Sequence, residues 1–136
     1  MGYLIDTNVV SELRRPRPHP GVARWFAAAP SDELHLSVLT VGEIRQGIER
    51  LRPRDAPRAD DIERWLDDLH RQFADRVIAI DRAIAEKWGT LNALRPLPVV
   101  DGLLAATAAV RGWTLVTRNT KDVDGLGIDL LNPFEG

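Results

Sequence analysis

Short apolar runs that break off into small polar residues, each separated from the next by stretches of helical period, constrain this chain most. They are Tyr3-Leu4-Ile5, Leu34-His35-Leu36-Ser37, Val77-Ile78-Ala79-Ile80 and Trp113-Thr114-Leu115-Val116-Thr117, with Ile128-Asp129-Leu130-Leu131 as a last, shorter strand before Asn132-Pro133. Such runs are of strand length, and a fully apolar one such as Val77 to Ile80 fits a parallel sheet covered on both faces. Strands alternating with helices imply an α/β fold, a three-layer α/β/α sandwich with a mostly parallel central sheet. At 136 residues the chain fits one domain, residues 1–136, able to bury about two thirds of its unfolded surface.

In an open α/β sheet, ligands bind beyond the C-terminal ends of the strands. The first run delivers Asp6-Thr7-Asn8 to that edge, where a helix from Asn8 to Leu13 begins. Asp6 there is either a functional carboxylate or a helix cap, a common use of such residues. The second strand leads into a helix from about Leu39 to Leu51, with Val41, Ile44, Ile48 and Leu51 on one stripe and Glu43 beside it. Thr40-Val41-Gly42-Glu43 also fits a capping box, in which Glu43 reaches back to a backbone N–H. Against that stands Gly47, one turn on, which leaves Glu43 uncovered and costs about 1 kcal/mol in a helix interior.

Ile62, Trp65, Leu66, Leu69 and Phe73 mark the most amphipathic helix, and Asp81 caps the helix that buries Ile84, Trp88 and Leu91. Asp101 opens an alanine-rich helix, apolar nearly all round, that ends near Arg111. The helix dipole favours an acid in that first turn, yet an acid so near a dry core usually has a partner or a metal. The fourth strand ends in Arg118-Asn119-Thr120-Lys121-Asp122, another polar loop at the same edge.

The topology brings Asp6, Glu43, Asp101 and the Asn119 to Asp122 loop together. Carboxylates packed this way repel and have their pKa values raised unless a cation sits among them. The chain has no cysteine, so any metal is held by oxygen or imidazole, and the hard ions Mg2+ or Mn2+ match the donors. The absence of cysteine gives no argument for an oxidising compartment. The N-terminus lacks a secretory pattern and no run approaches the roughly 20 apolar residues of a membrane span, so a soluble, cytoplasmic protein without a membrane partner is expected. Formal charge is -2, and a polyanionic substrate therefore needs local basic patches, metal ions or both. The segment from Leu13 to Pro30 has no acid and carries Arg14, Arg15, Arg17 and Arg24, which makes the proline-rich loop either a solvated surface or a phosphate-binding rim.

With these residues in place the sequence resembles a PIN domain, and more narrowly the toxin ribonucleases of bacterial VapBC-type toxin–antitoxin pairs. The resemblance rests on Leu4-Ile5-Asp6-Thr7-Asn8, on Ser37 through Glu43, on Asp101 opening the buried helix, and on Leu115 through Asp122. It implies that Asp6, Glu43 and Asp101 are catalytic, metal-holding acids. Many relatives carry an acid at the position of Asn119; here the residue is neutral, and the fourth acidic role passes to Asp122. Thr7 and Thr117, with Asn119, would orient the carboxylates or a metal-bound water. The resemblance further implies metal-assisted hydrolysis of RNA, with a second ion that assembles only with substrate. It also implies a homodimer and a cognate antitoxin whose C-terminal segment covers the acidic site. Arg14, Arg15, Arg17 and Arg118 are candidates for holding the RNA backbone.

Other readings stay open at the level of sequence. His19, His35 and His70 are isolated from one another, so no acid–base pair of a metal-independent ribonuclease is evident. A receiver or phosphatase domain of similar build lacks support: the only lysines are Lys87 and Lys121, and Asp-Thr-Asn has no second acid. A catalytically weak nucleic-acid-binding or regulatory module of the same fold, and a DNA nuclease, are the remaining alternatives.

Overall fold

Neighbouring residues of a strand face opposite sides of a sheet, and the first strand, β1 (Tyr3–Ile5), divides the core accordingly. Ile5 packs in one apolar cluster and Leu4 in another. In the computed structural model, which describes residues 1–135, these clusters lie on the two faces of a five-stranded sheet of order β3-β2-β1-β4-β5. The other strands are β2 (Leu34–Ser37), β3 (Val77–Ile78), β4 (Thr114–Val116) and β5 (Leu130–Leu131). Every pairing is parallel, with Tyr3 set between Leu34 and Thr114.

On the face of Ile5, Leu36 and Val116 lie α1 (Thr7–Glu12), α2 (Pro20–Ala28), α3 (Val38–Leu51) and α4 (Ala56–Phe73), which contribute Val9, Val22, Ile48 and Phe73. On the face of Leu4 and Leu115 lie α5 (Arg82–Leu94) and α6 (Val99–Arg111), which contribute Ile84, Leu91 and Leu104. This is the expected α/β/α sandwich. The last two helices approach closely because Gly102 has no side chain: a Cβ there would stand 3.0 Å from the Trp88 ring. Among the described residues, no single helix is long and apolar enough to cross a membrane.

Two local expectations are corrected. The run from Val77 to Ile80 pairs only at Val77 and Ile78 and forms an edge of the sheet, its half-buried side chains divided between the two faces, Val77 against one cluster and Ile78 and Ile80 against the other. Apolar composition reports that a segment seeks cover, not how many strands flank it. The other correction concerns α3, which starts at Val38 with the Ser37 hydroxyl accepting the N–H of Leu39 at 3.0 Å. Thr40 is thus already inside the helix and fully buried. Glu43 lies a turn beyond the free N–H groups, so the capping box does not form. Asp81 does cap α5, accepting the N–H of Ile84 at 2.9 Å.

The chain runs outward from β1 through β2 to β3, then crosses back through α5 and α6 to β4 on the other side of β1. The order reverses between β1 and β4, and at such a switch point the loops at the C-terminal edge diverge and leave a crevice.

Candidate active site

Asp6 sits at that switch point. Its N–H donates to the Val116 carbonyl at 2.9 Å, which continues the sheet one residue past β1 and fixes the backbone. Its side chain is only 9% exposed. One carboxylate oxygen, Oδ1, accepts the N–H of Thr7 at 2.7 Å; the other, Oδ2, accepts the Thr117 hydroxyl at 2.8 Å and the Asn8 amide at 3.5 Å. The Thr117 oxygen in turn accepts the N–H of Asn119 at 3.1 Å. With its oxygen held from that side, the hydroxyl directs its proton at Asp6. Capping and site chemistry coincide in this residue, since Asp6 is the N-cap of α1 and its second oxygen is bound by β4.

Burial pushes the Asp6 carboxyl above its ordinary value, and the charges of Asp101 and Glu43 push the same way; the hydrogen bonds from Thr117 and Thr7 oppose them. Asp101, in the first turn of α6, is also raised, by burial and then by the charges of Asp122 and Glu43. Glu43 thus acts through charge on both Asp6 and Asp101, and Asp122 on Asp101.

Thr7 joins two of them. Its N–H binds Asp6 and its hydroxyl donates to Glu43 Oε1 at 2.5 Å, while its oxygen lies 3.2 Å from that of buried Thr40. Asp122 lies in a short turn of 3-10 helix, Thr120–Asp122, whose end is held by the Arg95 guanidinium on the carbonyls of Asp122 and Asp124. Asn119 contributes its backbone N–H to Thr117.

Of the candidate RNA contacts, Arg14 lines a cleft that opens beside Thr7 and Glu43. Arg15 is exposed and 3.7 Å from Glu12, Arg17 is exposed in the proline loop, and Arg118 lies over the Phe134 ring at 4.5 Å. Asn8 and Thr40 were not singled out from sequence. Asn8 ties Asp6 to the fourth-strand loop by accepting the Arg118 N–H at 3.4 Å; the signal was the third residue of the Asp-Thr-Asn triplet, which also reads as plain helix start. The histidines stay apart. His19 caps α2 through Nδ1, which accepts the Gly21 N–H at 3.1 Å; His35 stacks on Trp113 at 3.9 Å; His70 lies in the last turn of α4.

A model of the PIN domain matches residues 3–124. The chain belongs to the PIN-domain family. Among PIN relatives, the chain is similar to the plasmid stability protein StbB of Pseudomonas syringae pv. tomato, at 34% identity over 97% of this chain and 98% of that protein. It is also similar to a VapC ribonuclease of Sinorhizobium fredii, at 31% identity over 97% of each. The crystal structure of FitAcB from Neisseria gonorrhoeae superposes with a TM-score of 0.91 at 27% identity, covering 98% of this chain and 99% of that one.

The donors of this PIN domain suit a hard divalent cation by chemistry: they are carboxylate oxygens, and two of them, Asp6 and Asp101, are hard to ionise beside their neighbours. In their arrangement, no three acidic or histidine side chains among the described residues stand close enough to form a ready metal-holding group. Glu43 is engaged by Thr7 and Asp6 by Thr117.

Proposed function

We propose that this PIN domain, as a single domain acting in the cytoplasm, is the endoribonuclease toxin of a toxin–antitoxin pair, and that Mg2+ or Mn2+ serves its reaction. The observation that carries the reading is the placement of Asp6 at the switch point, buried, bound by β4 and within electrostatic reach of Glu43 and Asp101. Asp6 and Asp101 would hold the ion, with Glu43 and Asp122 beside them. When bound, a divalent ion of this kind lowers the pKa of water and neutralises charge on a scissile phosphate.

The residues of the chain supply the positioning. Thr117 and the Thr7 N–H hold both oxygens of Asp6 in one orientation; Thr7 holds Glu43 on the same side. Asn8 fixes the β4 loop that carries Asp122. A carboxylate that is ionised at cost is released from that cost by a cation, so the electrostatic design favours cation binding over an apo state with four charges. The partner for this reading is a cognate antitoxin, in line with the toxin–antitoxin complexes among the solved relatives, and the working unit is a homodimer.

The test is cleavage of a mixed cellular RNA pool by purified protein with Mg2+ or Mn2+, with chelator, and by Asp6→Asn. Metal-dependent cleavage leaving 5′-phosphate ends, lost in Asp6→Asn, is the expected result. The lack of a ready three-carboxylate group favours the one alternative, a binding module of the same fold without catalysis. That alternative holds if folded protein neither cleaves RNA nor binds Mn2+ in calorimetric titration.

A further inference from the structure

The formal charge of -2 conceals a segregation of charge on α3 and α4. Arg45, Glu49, Arg52, Asp60 and Glu63 form one network of ion pairs across the two helices. Arg64 pairs with Asp61 and Arg71 with Asp68. Asp55 is occupied too, because its carboxylate caps α4 by accepting the Arg58 N–H at 3.2 Å. Glu49, Asp60, Asp61, Glu63 and Asp68 of this helix pair are thus committed to basic partners.

In the cleft beside Glu43 the balance is opposite. It has a volume of about 430 Å³ and is bordered by α1, α3 and α4. Arg14, Arg50, Arg54 and Arg58 all line it, and among the described residues none of the four joins an ion pair. Arg14 is partly buried, and the charges of Arg58 and Arg15 add to burial in pulling its guanidinium below the ordinary value. Four arginines stand against one lining acid, Glu43, with Ile44, Ile48, Leu51 and Ile62 also lining the cleft, and such an excess of like charge makes a site for a polyanion. Trp65 gives the cleft an aromatic wall. Its floor is bare at Gly47, where an added Cβ would meet nothing within 4 Å.

Thr7 and Glu43 line the same cleft, so whatever lies in it continues into the acidic site. A phosphodiester chain entering that site meets carboxylates that repel it, and neighbouring arginines compensate. Aromatic stacking together with cations that follow the backbone is how proteins hold single strands. We propose that this cleft is the track for single-stranded RNA leading away from the cut, with phosphates on Arg14, Arg50, Arg54 and Arg58, a base against Trp65, and the bare backbone at Gly47 beneath. The proposal rests on the ribonuclease reading and gives that site its substrate path.

The test is binding rather than cleavage: fluorescence anisotropy of a labelled single-stranded RNA, titrated over a range of salt, with Asp6→Asn protein and again with unmutated protein in chelator. Arg50→Ala/Arg54→Ala/Arg58→Ala is expected to weaken binding at least tenfold. It should also reduce the slope of log Kd against log salt by about 2, since each single-strand phosphate contact contributes about 0.7. Arg64→Ala/Arg71→Ala, which removes paired arginines, stays within twofold. Gly47→Leu keeps every charge and is expected to weaken binding at least fivefold by filling the floor. A triple variant that melts like the parent and binds RNA with unchanged affinity and slope overturns the proposal. So does loss of binding to an acidic amphipathic peptide with RNA binding intact, which would make the cleft a peptide site. Absence of cleavage by unmutated protein, with RNA binding that still follows the arginines, would refute the ribonuclease reading and leave the track standing.

Discussion

Replacing Gly47 by alanine should stabilise the protein, although Gly47 borders the candidate active site. Glycine inside a helix is less stable than alanine by about 1 kcal/mol. Nothing offsets that gain here, because a Cβ at residue 47 meets no atom within 4 Å. With an unfolding entropy of about 2.1 cal/mol/K per residue, a chain of 136 residues gains roughly 3–4 °C in Tm per kcal/mol. Gly89, in α5 and away from the site, is equally open and should give a similar increment. Gly102→Ala should do the reverse: its Cβ would press on Trp88 at 3.0 Å in the buried contact between α5 and α6, a loss of about 1–3 kcal/mol. Thermal melting by circular dichroism of the three variants decides the matter. If Gly89→Ala stabilises and Gly47→Ala does not, the space above Gly47 is filled in the folded protein and the open cleft is refuted. If Gly102→Ala stabilises, the packing of α5 on α6 is refuted. The pairing of results is informative for function as well, because a glycine that costs stability while bordering a cleft is retained for the room it leaves.

Asp6→Asn is expected to abolish RNA cleavage and to melt at or above the parent at pH 7, since a buried carboxylate is replaced by a neutral amide. The folded-state pKa values of Asp6 and Asp101 are raised above 3.8, so folding takes up protons between the unfolded and folded values; their stabilising contribution is present at low pH and lost as pH rises through the folded values. The melting advantage of Asp6→Asn should therefore shrink as pH falls from neutrality toward that window, and an advantage independent of pH would refute the assignment. Thr117→Val keeps the shape of the side chain but removes the donor to Asp6. It should cost about 1.5–3 kcal/mol at pH 7, roughly 5–10 °C in Tm, and less at acid pH; an unchanged melting curve would mean that the hydroxyl does not hold the carboxylate. Mn2+ at about a hundred times its Kd should add about 2.7 kcal/mol to the parent and nothing to Asp6→Asn or Asp101→Asn, and equal shifts in all three would place the ion elsewhere.

The layers of this fold were legible in the sequence because strand-length apolar runs and amphipathic stretches alternate along it, and β2 and α4 emerge with their expected apolar faces. Position within the sheet was not legible. Val77-Ile78 and Leu4-Ile5 are equally apolar, yet one pair lies at an edge and the other at the centre, since neighbours come from chain crossovers that local composition does not encode. Asp6 and Asp101 could be placed at one edge because one follows a strand and the other lies in the first turn of a helix, whereas Glu43 was placed only by the apolar stripe beside it on α3. The role of Thr40 was hidden because Thr40-Val41-Gly42-Glu43 also fits a capping box, whereas the cap of α3 is Ser37. The basic surface was only partly readable: Arg14, Arg15 and Arg17 cluster in sequence, but Arg15 turns to Glu12. Arg50, Arg54 and Arg58 reach Arg14 only because the α3–α4 hairpin folds back against α1. Proximity along a chain and proximity across a cleft are different quantities.

The hydrogen bond from Thr117 to Asp6 joins residues 111 positions apart, and β1 gains its second neighbour, β4, only through the same crossover. During synthesis, Asp6 leaves the ribosome 111 residues before Thr117, ahead of the strand that encloses it. A nascent chain that ends before β4 cannot bury this carboxylate as the folded protein does. The surroundings of Asp6 are thus completed late, and a copy that ends before β4 lacks them by topology alone.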